Sequence, residues 1–556
     1  MDDPSRAKAG TRLIWSDALC LVLITLLSAM PYVAKLGFYS DDWYVLYSFH
    51  AETVRHSFGI QSALHYDEAR PVQGLYLALL YQLFGFHPFG YHLVNTAVIA
   101  AAMPLLYWLL VRVDIDRPSA LGASIALIVL PQLSTVRVWF LTVQIPLSML
   151  MTLVSLHCQL SFARTGRAGW AFAAAATAIV SIAAYEIFAP MIAAFPIALL
   201  AARWQKSFRQ PAQSRRAIAL LALVLLVGLL TLAKYAVSVR AQPPDLHRYV
   251  KGLIQLVRPD YDWRTDYALN IFAALDVHFW WTIVGWFRGA EALAQERLGW
   301  FDGAVALAVA LLSFWRIRLT GGPAARPWSS RRLLLLGIAV FVLGHAVFLI
   351  APAMNFSPAG IANRALVAAA VGVALILVAT LRHLVALLEA KRQSLVFASA
   401  IGITALLGTL RIEQIASYWT EAPAIQGKVL AAARSDLKGI PPRSFVMLDN
   451  VCPYHGPAVI FEAPWDVSGA LSLTTGKEIR ADAVSPRMTL RPNGLATSIY
   501  GEPAFYPFGR DLYVYDPARH LVAQLGDLAA ARHYFVEANR SRTVCPQSYV
   551  GHGELI

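Results

Sequence analysis

Long apolar runs separated by short polar gaps dominate the chain. They fall near 13–34, 90–111, 119–136, 139–162, 168–185, 187–203, 217–238, 301–316, 333–352, 365–385 and 394–411. A helix needs about 20 apolar residues to cross a bilayer core, so the pattern predicts about eleven crossings. The stretch 168–203 is divided at "AYEIFAP", where Glu186 and Pro190 interrupt it. "RPVQGLYLALLYQLFGFHP", after the first run, is too short to span comfortably. Pro71 suits the first turn of a helix, and its Leu, Tyr and Phe residues predict a helix lying in the membrane interface. Beyond about 412 the pattern changes. "RSFVMLDN", "PAVIFEA" and "RDLYVYD" read as short strands, and "GDLAAARHYFVEAN" as helical. The expected fold class is an α-helical polytopic membrane protein with a small mixed α/β domain at its C-terminal end. Residues 1–412 form the transmembrane domain, with large external loops near 35–89 and 239–300, and 413–556 form the α/β domain. No internal repeat is visible.

Composition agrees: 57% of the 556 residues are hydrophobic and 15% charged, against about 25% charged in a soluble domain. The net charge of +13 first suggests nucleic acid. However, the basic residues cluster in gaps between runs, in "RWQKSFRQPAQSRR", "RIRLTGGPAARPWSSRR" and "RHLVALLEAKR", as cytoplasmic loops do. No basic, aromatic-interleaved soluble module is present, so nucleic acid is not an expected partner. With the N-terminus cytoplasmic, an odd span count sends the C-terminal domain to the outer side, the periplasm if the membrane is a bacterial inner membrane. The first run exceeds the roughly 7–15 residues of a signal peptide and no clean cleavage site follows, so it reads as an uncleaved anchor. Asp17, near its cytoplasmic end, is expected to reach the interface. Of four cysteines, Cys20 and Cys158 lie in apolar runs. Cys452 and Cys545 share the expected oxidising compartment and are expected to pair. No metal-type spacing occurs.

The first external loop opens with "GFYSDDWYVLY". One reading of Asp41 and Asp42 is structural: Ser40 or Asp41 caps a helix, with Trp43 and Tyr44 as interfacial anchors. The other is chemical: a carboxylate beside an acceptor hydroxyl takes its proton as the oxygen attacks. Adjacent helical residues point about 100° apart, so one acid is expected to face the reacting atoms and the other to position it or hold a cation. Arg70, in the same loop, either binds phosphate oxygens or reaches lipid headgroups. Glu186 is an acid deep in an apolar run and so a functional candidate, or else a structural partner for a neighbouring helix. Arg364 starts a late span on the outer side, where a lipid-linked phosphate would lie. Arg137, with Trp139, and Tyr44 complete the expected substrate-binding set.

This order of pieces resembles the GT-C class of integral-membrane glycosyltransferases, which includes the protein O-mannosyltransferases and the aminoarabinose transferases of lipid A. "RPVQGLYLALLYQLFGFHPFGYHLVNTAVIAAAMPLLYWLLVR" resembles their interfacial helix, short "FG" turn and second span. "RVWFLTVQIPLSMLMTLVSLHCQLSFAR" and "AYEIFAPMIAAFPIALL" are similar to the spans that follow. The resemblance covers roughly residues 10–205 well and the rest only in topology. It implies inverting transfer of a sugar from a polyprenyl-phosphate donor to a hydroxyl of a glycan, lipid or protein acceptor. Asp41 matches the first acid of the family's pair, the catalytic base. Asp42 matches the second, an aspartate where the mannosyltransferases often carry glutamate, and "ARP" around Arg70 matches only some members. The class implies no obligatory cofactor, although an acid pair leaves a divalent cation open. Rival readings are a transporter or flippase of lipid-linked saccharides, and a polysaccharide polymerase or ligase with a diphosphate-linked donor. In the latter Arg248, Arg258 and Arg264 would matter more than Asp41. A non-catalytic assembly protein is the third.

Overall fold

The computed structural model describes residues 4–66, 68–201, 211–241, 270–320, 329–349, 356–485, 488–499, 502–537 and 545. The helices in chain order are α1 (Pro4–Ala29), α2 (Asp41–Val54), α3 (Ile60–Tyr66), α4 (Pro71–Phe84), α5 (Pro88–Arg112), α6 (Arg117–Val129), α7 (Ser134–Val138), α8 (Gln144–Thr165), α9 (Ala168–Ala184), α10 (Ala189–Ala201), α11 (Pro211–Ala241), α12 (Trp281–Ala294), α13 (Trp300–Leu319), α14 (Ser330–His345), α15 (Val367–Val385), α16 (Ala390–Asp436), α17 (Pro464–Thr475) and α18 (Leu528–Arg532). Their ends follow local chemistry. Pro71 and Pro88 open α4 and α5 from the first turn, where a missing N–H costs nothing. Gly166, at φ +73°, closes α8 in the left-handed conformation that glycine favours.

Seven helical segments are long and apolar enough to cross a membrane: Pro88–Arg112, Phe140–Thr165, Ser214–Lys234, Trp300–Leu319, Ser330–Phe348, Ile361–Val385 and Ala390–Gly439. Arg117–Val129 and Pro131–Val138, bent by 55°, make an eighth if they form one span. Trp15–Ala29, Ala168–Ala184 and Glu186–Ala201 are apolar but shorter. Each of the roughly eleven expected runs thus meets a helix or a bent pair, while length alone establishes seven or eight. The chain is a multi-pass α-helical membrane protein with a small strand-containing domain after its last span.

At one end of the bundle Asp17 is fully buried, which corrects the expectation that it reaches the interface. It accepts hydrogen bonds from Arg117 Nε at 2.5 Å, Arg316 Nε at 2.6 Å and Tyr107 OH at 2.5 Å, tying α1 to α5, α6 and α13. Two arginines and a phenol supply what a buried carboxylate needs. At the other end, α16 runs for 47 residues from the membrane into the C-terminal region. The boundary expected at 412/413 falls inside this continuous helix.

The C-terminal domain has strands β1 (Phe445–Leu448), β2 (Tyr454–His455), β3 (Ala458–Val459), β4 (Arg480–Ala483), β5 (Thr489–Arg491), β6 (Gly494–Ile499), β7 (Glu502–Pro507), β8 (Leu512–Asp516) and β9 (Leu521–Gln524). The main sheet has the order β4-β1-β8-β9, with β1 parallel to both its neighbours. Such a parallel pair needs a crossover, and α17 supplies it between β1 and β4. The segments read as strands in "RSFVMLDN", "PAVIFEA" and "RDLYVYD" are β1, β3 and β8. Cys452 and Cys545 are joined in a disulfide, and Cys20 and Cys158 are free and buried.

Two large apolar cores divide the molecule. One fills the helical bundle around residues such as Leu121, Ile125 and Val378. The other joins the segment between α1 and α5 to the C-terminal domain: Leu46 and Phe49 of α2, Trp419 of α16, and Phe461, Val467 and Ala470 belong to it together.

Candidate functional site

Asp41 opens α2 behind a strained residue. Ser40 has φ +49° and ψ −127°, a region that a residue with a Cβ rarely occupies; such strain persists only where its surroundings enforce it, and it clusters at functional sites. Here the surroundings come from far along the chain. Ser40 is buried, and its hydroxyl donates to Glu462 Oε1 at 2.9 Å. Tyr454 OH donates to the other oxygen of Glu462. Trp465 Nε1 donates to Asp41 Oδ1 at 2.5 Å, and Ser40 Oγ approaches the same oxygen at 3.5 Å. Among the described residues, Asp41 Oδ2 accepts no hydrogen bond. Burial raises the Asp41 carboxyl above the usual carboxylate range, against the opposing pull of Arg364 and of the Trp465 and Ser40 donors.

Arg364 stands near Asp41 with its guanidinium 5.1 Å from the centre of the Trp139 ring. It is half-buried, and among the described residues it makes no hydrogen bond or ion pair. A cation held by a ring, with no acceptor among the described residues, is suited to an incoming anion.

Asp42 has a different task. It is fully buried. Oδ2 takes the Tyr39 N–H at 2.8 Å, and Oδ1 takes Trp139 Nε1 at 2.9 Å and the Leu141 N–H at 3.2 Å. Asp42 thereby fastens the start of α2 to the segment between α7 and α8, and with it Trp139, the platform under Arg364. The two adjacent acids do point apart, as their helical spacing expects. Asp42 serves as an anchor without reach to a substrate.

Arg70 and Glu186 form a second cluster. Arg70 Nη2 lies 3.3 Å from Glu186 Oε1 and its guanidinium 4.7 Å from the Tyr185 ring centre. Lys234 Nζ lies 2.5 Å from Glu186 Oε2. The structural alternative for Glu186 is what the geometry presents: a partner for cations of α4 and α11 at the break between α9 and α10. One carboxylate is thus shared by two cations, while Arg364 belongs to the other cluster, beside Asp41 and Trp139.

Arg137 is 3% exposed and donates to Ser28 Oγ at 3.0 Å, Tyr32 OH at 3.2 Å and the Ile128 carbonyl at 2.5 Å. It fastens α7 to α1 and α6, and its burial removes it from an open substrate groove. Tyr44 is 46% exposed on α2, as an interfacial anchor would be. Arg248, Arg258 and Arg264 lie outside the described residues. Among the described residues no group of three or more metal-ligating side chains is present.

Sequence reasoning missed Glu462 and Trp465. Their stretch, "FEAPWD", does carry a signal. Pro464 occupies the first turn of α17, and Asp466 accepts the Glu462 and Ala463 N–H groups at 2.9 and 3.1 Å. Acids and an indole at a helix start repeat the composition of "SDDW". That α17 starts beside α2 is a tertiary fact.

No family model and no curated protein matches the sequence. Among solved structures the chain is similar to the Archaeoglobus fulgidus oligosaccharyltransferase in the apo form, at 12% identity over 84% of this chain and 64% of that chain, with a TM-score of 0.40. This chain thus spans less than two thirds of the archaeal protein's length. It is also similar to ArnT from Cupriavidus metallidurans bound to undecaprenyl phosphate, at 13% identity over 85% of this chain and 86% of that chain, TM-score 0.35. The apo state of ArnT gives 13% identity, 86% of each chain and a TM-score of 0.32. The likeness is distant, and no site residue or substrate of this chain is taken from it.

Proposed function

We propose that the protein is a membrane glycosyltransferase that moves a sugar from a polyprenyl-phosphate donor to an acceptor hydroxyl at the outer face of a bacterial inner membrane, with the C-terminal domain in the periplasm. The observation that carries the reading is the proximity of two groups: an Asp41 oxygen that, among the described residues, accepts no hydrogen bond, and an Arg364 guanidinium that, among the same residues, donates none. One supplies a base and the other an anion-binding group, the two roles that this transfer needs. The acceptor oxygen attacks the anomeric carbon of the sugar while the bond from that carbon to the phosphate oxygen breaks. The electron pair leaves with the polyprenyl phosphate, and the configuration at the carbon inverts. Asp41 Oδ2 takes the hydroxyl proton, and Arg364 counters the charge that grows on the leaving phosphate. Burial favours this division of labour, since a carboxylate raised above its usual range is a better proton acceptor. No metal enters the scheme.

The test is Asp41→Asn, which keeps the shape and removes the base. Transfer of radiolabelled sugars from synthetic undecaprenyl-phosphate donors in membranes is expected to fall by about 10²–10⁴-fold with normal expression and insertion. Asn keeps a side-chain carbonyl oxygen that can accept the Trp465 N–H, so a purely structural Asp41 predicts near-wild-type turnover, and that result would remove the reading.

A further inference from the structure

We infer that the C-terminal domain is part of the catalytic centre, with Trp465 as the positioning residue that orients the Asp41 carboxylate. The inference rests on the reading of Asp41 as the base. Its ground is a continuous chain of contacts from the sheet to that carboxylate. Ser468 of α17 bonds β4 through the Ala481 N–H at 2.8 Å, which fixes the helix on the sheet. Asp466 closes the turn before α17, so Glu462 and Trp465 face the same way. Gln426 of α16 donates to the Ile460 carbonyl at 2.9 Å and holds that turn against the long helix. Gly469 lies so close to α2 that a Cβ there would come within 2.5 Å of the Trp43 carbonyl oxygen. The loop carrying Glu462 leaves the carboxyl end of β1, an interior strand parallel to both its neighbours, the edge where α/β sheets present their ligand-binding loops.

The chemical consequence follows from which oxygen is occupied. A carboxylate that rotates freely presents either oxygen to an acceptor. The indole N–H takes Oδ1, so the carboxylate is fixed and Oδ2 is left to accept the proton, and one oxygen then has one job. Glu462 acts one residue back: by holding the Ser40 hydroxyl it stabilises the strained turn that aims Asp41. The charged and titratable groups around Asp41 are Arg364 from the start of α15, Asp42 on α2, and Glu462 and Asp466 at the start of α17. Of these, Asp42 and Asp466 are fully buried.

The experiment uses the full-length protein in detergent, labelled with ¹⁵N-tryptophan. Fifteen tryptophans are present, and the indole signal absent from Trp465→Phe belongs to Trp465. In the wild-type protein it is expected downfield, shifting with pH in one step, and that step disappears in Asp41→Asn. A Trp465 signal blind to both pH and Asp41→Asn overturns the inference without any assay of activity. Turnover of undecaprenyl-phosphate-linked sugars gives the second readout. Trp465→Phe keeps the ring and loses the donor. The expected kcat falls about tenfold or more, the scale of a hydrogen bond to a charged group, while the donor KM holds. Loss of the donor raises the Asp41 pKa, so the acid limb of the pH–rate profile moves to higher pH; a role in packing alone would leave that limb in place. Unchanged kcat and pH limb in Trp465→Phe, beside an inactive Asp41→Asn, remove the positioning role and leave the base assignment standing. An active Asp41→Asn removes the base assignment, and with it this inference.

Discussion

Asp41 and Asp42 show how one residue type divides into two roles by what its oxygens touch. Three N–H donors hold both oxygens of Asp42, which is fully buried. Asp41 keeps an oxygen. Arginines divide the same way. Arg137 and Arg70 have protein partners, and Arg364 has a ring beneath it and, among the described residues, no acceptor for its donors. Arg364→Ala is therefore expected to weaken binding of undecaprenyl phosphate to the purified protein by about 10–100-fold, the loss of a charge-assisted bond. Arg364→Lys is expected to recover only part of that affinity, since an ammonium neither stacks on Trp139 like a guanidinium nor offers a planar fork. Equal affinities in a direct binding titration of all three proteins would detach Arg364 from the phosphate. Sequence marked Asp41, Arg364 and Glu186 as unusual because charge beside lipid is costly. It had no means of separating the saturated from the unsaturated, because the partners of Glu186 lie 116 and 48 residues away.

Among elements, the pairing of α2 with α17 matters most. Both helices start at the same point in space, at Ser40–Asp41 and Glu462–Trp465, and they approach closely at Gly469. Valine at 469 has no room, because the obstacle is the backbone oxygen of Trp43 and no rotamer relieves it. Gly469→Val is expected to cost about 1–3 kcal/mol, as overpacked sites do, seen as a lower Tm in detergent. Gly427 on α16 has nothing within 4 Å of its would-be Cβ, so Gly427→Ala should hold or slightly raise Tm. If both variants melt with the wild type, the α2–α17 contact is looser than described. Element identity was readable where the pattern was strong. Helix α4 begins at Pro71, the α9–α10 break falls at Glu186, and β1 and β8 occupy two of the stretches read as short strands. α17 went unread, since its burial on two sides, against β4 and α2, leaves no clean amphipathic stripe.

At the scale of the whole molecule, the segment between α1 and α5, the C-terminal part of α16 and the C-terminal domain share one core, so the domain is built onto the membrane bundle. The Cys452–Cys545 disulfide closes a stretch of 93 residues within it. In the chain-entropy account a loop of that size contributes about 4–5 kcal/mol. The double variant Cys452→Ser/Cys545→Ser is expected to speed limited proteolysis of the C-terminal domain in the intact, detergent-solubilised protein, with the bundle spared. Cleavage at the wild-type rate would show that the shared core suffices to hold the domain.

The sequence alone determined the solvent of each part. Apolar runs of span length must be helical in lipid, because no water is present to satisfy the backbone, and the change of pattern after 412 marked a water-facing α/β region. It also singled out the residue on which the proposed chemistry rests, since two acids next to a span are conspicuous. The tertiary structure decided what each charged group faces. The indole that holds Asp41 lies 424 residues away in the chain. Hydrogen bonds and ion pairs act over a few ångströms of space, whatever the separation in sequence, so periodicity places a residue on its own element and leaves open which distant element comes to meet it.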